Sequence, residues 1–237
     1  MPSAASYEVA KELSSGAMLS TYLNWSDLKK NHNKFYIQQV LQRKGQTGAS
    51  HPAMVFTRYG RVGVNGVISQ NWFPYEKAVA TYHKTMRSKK SKGYTEIIMA
   101  NDAGGMRDPP KAEVIVRENS EIAESTLDSN VQTLVKFFFD QKLMESSIVS
   151  VNVDIKKMPL GQLSRETVFA GYKVLREIED AIEKGRTELL ADLSGRFYTV
   201  IPHNFGMKKM SLFIISTAEQ VREKLDLITN LLDIQVA

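Results

Sequence analysis

Between Phe56 and Gly66 the chain reads FTRYGRVGVNG: an alternating aromatic and β-branched run that breaks into glycines at positions 60, 63 and 66. Residues of the Phe56–Tyr59 kind favour a strand. The glycines that come next tolerate positive φ and allow another backbone to approach closely. A strand that stops in this way must turn tightly. Arg58 and Arg61 flank the first glycine with fixed forks of donors suited to carboxylate or phosphate. The stretch is a glycine-punctuated, basic strand edge. No amphipathic helix succeeds it directly, so it is not a dinucleotide fingerprint, and no Gly-Lys-Ser/Thr closes it as a Walker loop would.

The rest of the first half agrees with a small sheet. Thr21–Leu28 predicts a first strand. Asn33–Leu41 alternates Phe35, Ile37, Gln39 and Leu41 on one face with Tyr36, Gln38 and Val40 on the other, which is the period of a strand. Gly45–Pro52 reads as a hairpin loop, Ala53–Tyr59 as the return strand, and Gly63–Gln70 as the next. At Pro74 the period changes. Ala78, Val79, Tyr82 and Met86 recur at helical spacing, and Pro74 suits a first helical turn. The basic run Lys84, Arg87, Lys89, Lys90 and Lys92 complements the helix dipole or binds an anion. Tyr94–Met99 is a short closing strand. Residues 1–20, small and polar, read as a flexible tail.

Residues 104–125 carry Gly104-Gly105 and Pro109-Pro110 and read as a linker. Beyond it the patterning is helical throughout. Ser125 and Asp128 are spaced as a capping box before Val131, Leu134, Val135 and Phe138. Met144, Ile148 and Val151 suggest a second short helix. Pro159 and Gly161 forbid a continuous helix across the connector Lys156–Ser164. Ser164 is a good N-cap for a helix whose face carries Val168, Tyr172, Leu175, Ile178 and Ile182. Leu189, Leu190, Leu193 and Phe197 mark the next helix. Ile201–Met210 is a structured loop. Thr217 and Gln220 form a capping box for a last helix bearing Val221, Leu225, Ile228 and Leu232. The expected fold class is therefore α+β: a small antiparallel sheet with one covering helix over residues 21–103, then an all-α bundle over 126–237.

The 237 residues carry no cysteine and a formal charge of +5. Disulfides and cysteine-ligated zinc are excluded, and an anionic partner is plausible. No apolar run reaches membrane-spanning length, so no membrane partner is expected. His32, His51, His83 and His203 are not paired at metal-ligand spacing, and no metal site is expected. His203 reads as a loop-bracing hydrogen bonder. No nucleophile elbow, zincin or kinase motif occurs. The residues able to gather around an anion are Asn33, Lys34, Arg58 and Arg61, with Tyr59 able to stack on a sugar or base. The alternative is that the cations are solvated and Tyr59 packs in the sheet.

NKFYIQQVL (33–41), FTRYGRVGVNG and the helix from Pro74 resemble the WGR domain of poly(ADP-ribose) polymerases, with Tyr59-Gly60-Arg61 in the place of the Trp-Gly-Arg triplet. LDSNVQTLVKFFFD, KKMPLGQLS, GYKVLREIEDAI, DLSGRFYTVIPHNFGMKK and EKLDLITNLLDIQVA resemble the helical regulatory domain of the same family, nearest its DNA-dependent nuclear members. The resemblance implies a DNA-binding domain that engages strand breaks and a helical domain that blocks NAD access until DNA binding loosens it. It gives Tyr59 the stacking role against the terminal nucleotide, with less ring area than tryptophan. Asn33 and Lys34 fall near the break's 5′ phosphate, and Arg61 is the interdomain relay.

The family's NAD-binding and catalytic residues lie in a transferase domain that would begin where LLDIQVA ends. The expectation is thus no catalytic, cofactor-binding or metal residue in this chain, and neither His203 nor Glu219 takes such a role. The family usually has two prolines where this chain has Met210-Ser211. The expected function is the break-sensing, autoinhibitory portion of a poly(ADP-ribose) polymerase. Its partners would be broken DNA and an ADP-ribosyltransferase domain, in cis or in trans, and its place the nucleus. The alternatives are a fragment of a full NAD-dependent ADP-ribosyltransferase of DNA repair, and a protein-interaction subunit that binds no DNA.

Overall fold

The computed structural model describes residues 6–99 and 163–234. The expected linker and the helices read between 126 and 151 lie outside the described residues. The sheet is built on a 12-residue strand, β3 (His32–Arg43), with β2 (Ser20–Asp27) on one side and β4 (Ala53–Arg61) on the other. β5 (Val67–Phe73) pairs with β4, and a two-residue β6 (Thr95–Glu96) pairs with β2. All pairings are antiparallel. Gly63 and Gly66, at φ of 93° and 75°, make the turn into β5, which starts later than the glycine spacing suggests.

The start of the chain departs from the expected loose tail. Tyr7–Val9 forms β1, which pairs with Leu41–Arg43 at the far end of β3. β1 and β2 therefore lie end to end along one side of β3. Between them the chain leaves the sheet in a small excursion, closed by Glu12 N–H to Ala17 O (2.8 Å), and returns at Leu19, whose N–H donates to Ala10 O (2.9 Å). Burial of Ala10 and Leu19 holds the excursion, together with Tyr75 Oη–H to Lys11 O (2.5 Å) and the His83–Glu12 contact (2.8 Å). A three-residue strand of small and polar neighbours has too short a period to announce itself.

Helix α1 (Tyr75–Lys90) comes directly after Pro74 and lays Tyr75, Ala78 and Tyr82 on Val40, Ala53 and Val55. On the other side of the sheet sit the helices. α2 (Arg165–Glu183) begins at Ser164, whose Oγ accepts the Thr167 N–H (3.3 Å). It buries Val168, Gly171, Val174, Leu175, Ile178 and Ala181. Tyr172 points outward at 39% exposure, because Gly171 takes the inward position. A Cβ on Gly171 would stand 2.6 Å from Ile201 Cγ1, so this helix packs by backbone approach that an apolar stripe does not reveal. A short 3₁₀ turn (Thr187–Leu189) leads into α3 (Leu190–Val200), and Leu189 stays exposed. A second 3₁₀ turn (Met210–Phe213) precedes α4 (Ala218–Ile234). The Thr217–Gln220 capping box forms reciprocally: Gln220 N–H to Thr217 Oγ1 and Thr217 N–H to Gln220 Oε1, both 3.2 Å.

Sheet and helices share one apolar cluster. Leu28 and Ile97 from the sheet unit are buried with Leu163, Phe197, Ile201 and Met210. α3 crosses β2 at Gly195, where a Cβ would lie 3.2 Å from Ser26 O. The two units read from the sequence thus meet across a packed seam.

Candidate nucleic-acid interface

Antiparallel register sets Lys34 opposite Arg61 and Tyr36 opposite Tyr59. Alternation then brings these four side chains to the α1 side of the sheet. The Tyr59 and Tyr36 rings stack at 5.7 Å and 21°. Lys89, from the end of α1, holds its Nζ 4.1 Å from the Tyr36 ring and 5.2 Å from that of Tyr94. Tyr94 meets Trp25 at 5.6 Å, and Lys34 lies 5.2 Å over the Trp25 ring. Beside this row opens a groove of about 390 Å³ lined by Asn33, Lys34, Phe35, Tyr59, Gly60, Arg61 and Tyr94. Tyr59 is 41% exposed.

Burial, then Lys92 and Lys34, lower the pKa of the Lys89 ammonium. Burial raises the phenols of Tyr36 and Tyr94. His32 is pulled below its ordinary range by burial and then by Lys34. These like charges, held on aromatic faces, make a surface suited to an anion with a stackable ring.

Lys34, Tyr59 and Arg61 come together as expected, Asn33 lines the same groove but turns its side chain away, and Arg58 does not join them. Asn33 is fully buried, on the opposite face from Lys34, where its Nδ2 donates to His203 O (2.9 Å) and its Oδ1 accepts from Ser26 Oγ (3.0 Å). Its side-chain oxygen and one of its two amide N–H groups are committed there. Arg58 is also on the far face, over the Phe35 ring at 5.6 Å, with Nε donating to Asn65 O (2.7 Å). Tyr94 lines the groove, and Lys89 and Trp25 belong to the aromatic row beside it; sequence reasoning missed all three. The basic run after α1 signalled charge, but only tertiary packing selects Lys89.

Arg61 leaves the groove edge and ends in the helical part. Its Nε donates to Gly206 O (2.7 Å), its Nη2 to Lys208 O (3.2 Å) and its Nη1 to Asn31 O (3.2 Å). Around it the seam is polar, with Asn24 Oδ1 and His203 Nε2 buried without a hydrogen-bond partner. Asn24 Nδ2 donates to Tyr198 O and Thr199 O, both 2.9 Å, at the C-terminus of α3. Thr199 Oγ1 accepts the Ser26 N–H (2.9 Å). Gly63 lies against the Asn204 amide, leaving no room for a side chain. Met210 N–H donates to Asn31 Oδ1 (2.9 Å), a bond that a proline at this position could not make.

His203 is wholly buried among Tyr198, Phe197 and Phe205 and braces the loop. Its Nδ1–H donates to Ile201 O (2.7 Å), which fixes the tautomer. Burial, then nearby Lys224, lower its pKa to about 3. Among the described residues no cluster of three or more His, Asp or Glu could hold a metal, and no helix is long and apolar enough to cross a membrane.

A sheet edged by an aromatic and basic groove is thus joined, through an arginine, to a helical part. Residues 19–101 match the WGR domain, and residues 125–237 match the regulatory domain of poly(ADP-ribose) polymerase. The chain belongs to the poly(ADP-ribose) polymerase family and carries its WGR and regulatory domains. Poly(ADP-ribose) polymerase 2 of Arabidopsis thaliana is 31% identical over 235 residues, covering 91% of this chain and 36% of that protein. Poly(ADP-ribose) polymerase 1 of Gallus gallus is 34% identical over 241 residues, covering 94% of this chain and 22% of that protein. Poly(ADP-ribose) polymerase 1 of Xenopus laevis is 41% identical over 115 residues, or 48% of this chain and 11% of that protein. The chain thus spans about a third or less of the length of these relatives.

Proposed function

We propose that the chain is the DNA-break-sensing and autoinhibitory portion of a nuclear poly(ADP-ribose) polymerase. Broken DNA enters the groove with Tyr59 against the exposed terminal nucleotide and Lys34 near its 5′ phosphate. Arg61 passes the event to the helical domain, whose folded state restrains an ADP-ribosyltransferase domain acting in cis or in trans. NAD binding and catalysis belong to that domain and not to residues of the two matched here. The observation that carries this reading is Arg61, which borders the stacking groove and spends its donors on carbonyls of the helical loop.

Fluorescence anisotropy with a 5′-phosphorylated nicked duplex, over a range of salt concentrations, tests it. The nicked duplex binds more tightly than intact circular DNA, affinity falls with salt as phosphate contacts require, and Tyr59→Ala narrows the preference. Equal affinity for the intact circle refutes break recognition. No binding at all favours a protein-interaction subunit instead.

A further inference from the structure

The chain reverses between β2 and β3 at Asn31, the one non-glycine residue with positive φ (55°) among the described residues. Asparagine adopts this left-handed conformation more readily than most residues. The Asn31 N–H closes the turn on Leu28 O (3.4 Å). That leaves two acceptors, and they serve different partners. The backbone O receives Arg61 Nη1 at 3.2 Å, and the side-chain Oδ1 receives the Met210 N–H at 2.9 Å. Met210 opens the 3₁₀ turn, where an N–H has no partner of its own. Its own side chain is completely buried in the cluster that holds Phe197, Phe205 and Ile215.

We propose that Asn31 is a second positioning residue of the junction, coupling the groove to the helical core in parallel with Arg61. The inference rests on the reading that the groove takes DNA. Arg61 holds Gly206 and Lys208 directly. Through Asn31 O it also sets the turn whose side chain holds Met210. A phosphate that draws the guanidinium toward the groove withdraws a donor from Asn31 O, shifts the turn and frees the Met210 amide. Release then reaches the buried cluster through Met210 itself, four residues beyond the carbonyl that Arg61 touches at Gly206.

Two substitutions separate this role from mere turn geometry. Asn31→Gly keeps the left-handed turn and removes the acceptor. Asn31→Asp keeps both. Amide hydrogen exchange is followed by NMR on the 237-residue chain, with and without a saturating 5′-phosphorylated nicked duplex, beside anisotropy measurements of affinity. In the free protein the Met210 amide of Asn31→Gly exchanges roughly fivefold or more faster than wild type, the loss expected for one net hydrogen bond. Asn31→Asp matches wild type. DNA affinity stays within about twofold in all three, since Asn31 does not line the groove. DNA binding speeds exchange across α3 and α4 in wild type and Asn31→Asp, and Asn31→Gly shows a smaller DNA-induced step. Unchanged Met210 protection in Asn31→Gly, or an equal DNA-induced step in Asn31→Gly and wild type, overturns the proposal. Absence of duplex binding by wild type overturns the DNA reading itself, and anisotropy registers that before any variant is compared.

Discussion

The pH dependence of stability offers a direct test of the junction, because His203 sits beneath the clasped loop. Its ring is buried, its Nδ1–H is spent on Ile201 O, and its pKa falls from 6.5 to about 3 on folding. A folded-state value below the unfolded one means that the unfolded chain takes up a proton first as pH falls. The contribution is fully present above pH 6.5 and is lost progressively as pH drops toward 3. Between pH 7 and pH 5 this linkage amounts to about 2 kcal/mol, which corresponds to a fall in Tm of roughly 4–8 °C for a chain of this size. Thermal unfolding of wild type and His203→Phe across that range isolates it. Phenylalanine keeps a ring among Tyr198, Phe197 and Phe205 and cannot titrate. The variant is less stable at pH 7, through loss of the bond to Ile201 O, but its pH slope is shallower by about the amount above. Other titrating groups, including His32 with its own lowered pKa, are common to both proteins and cancel in the comparison. Parallel slopes, or an NMR titration of His203 near pH 6, would refute the reasoning.

Three more expectations concern the seam. Arg61→Lys behaves like Arg61→Ala in urea unfolding, each losing about 1–2 kcal/mol, because one ammonium cannot span the carbonyls of Asn31, Gly206 and Lys208. Asn33→Ala orphans the buried His203 O and costs about 1–3 kcal/mol in the same assay, while affinity for nicked DNA at matched folded fraction stays within about twofold. A large affinity loss there would restore Asn33 to the phosphate site. Gly171→Ala drives a methyl into Ile201 and lowers stability by about 1–3 kcal/mol, and Ile201→Val in the same chain recovers part of it.

Much of the fold was legible because local signals were strong and consistent. The period of two over Asn33–Leu41, Pro74 before α1, Ser164 before α2 and the Thr217–Gln220 box each correspond to an element in place. β1 was not legible, since three residues carry no period and its partner lies more than thirty positions away at Leu41–Arg43. Tyr172 misled because the true contact is made by a glycine, which no hydrophobic stripe records. The candidate groove was half readable. Strand alternation dictates that Lys34, Tyr59 and Arg61 can share a face while Asn33 and Arg58 must take the other. Tyr94 reaches it, and Lys89 the rings beside it, only because α1 folds back over the sheet.

The sheet grips the loop from His203 to Met210 almost wholly by its main chain: the carbonyls of His203, Gly206 and Lys208 and the amide of Met210. Every residue except proline offers those groups, so these contacts do not read side-chain identity at the exposed positions 206–209. Met207 at 85% exposure and Leu212 at 72% look outward beside it. The outer face of this loop can therefore drift in sequence, and acquire new preferences for whatever it meets, without loosening the joint. Evolution can vary what the loop meets while the means of holding it stays the same.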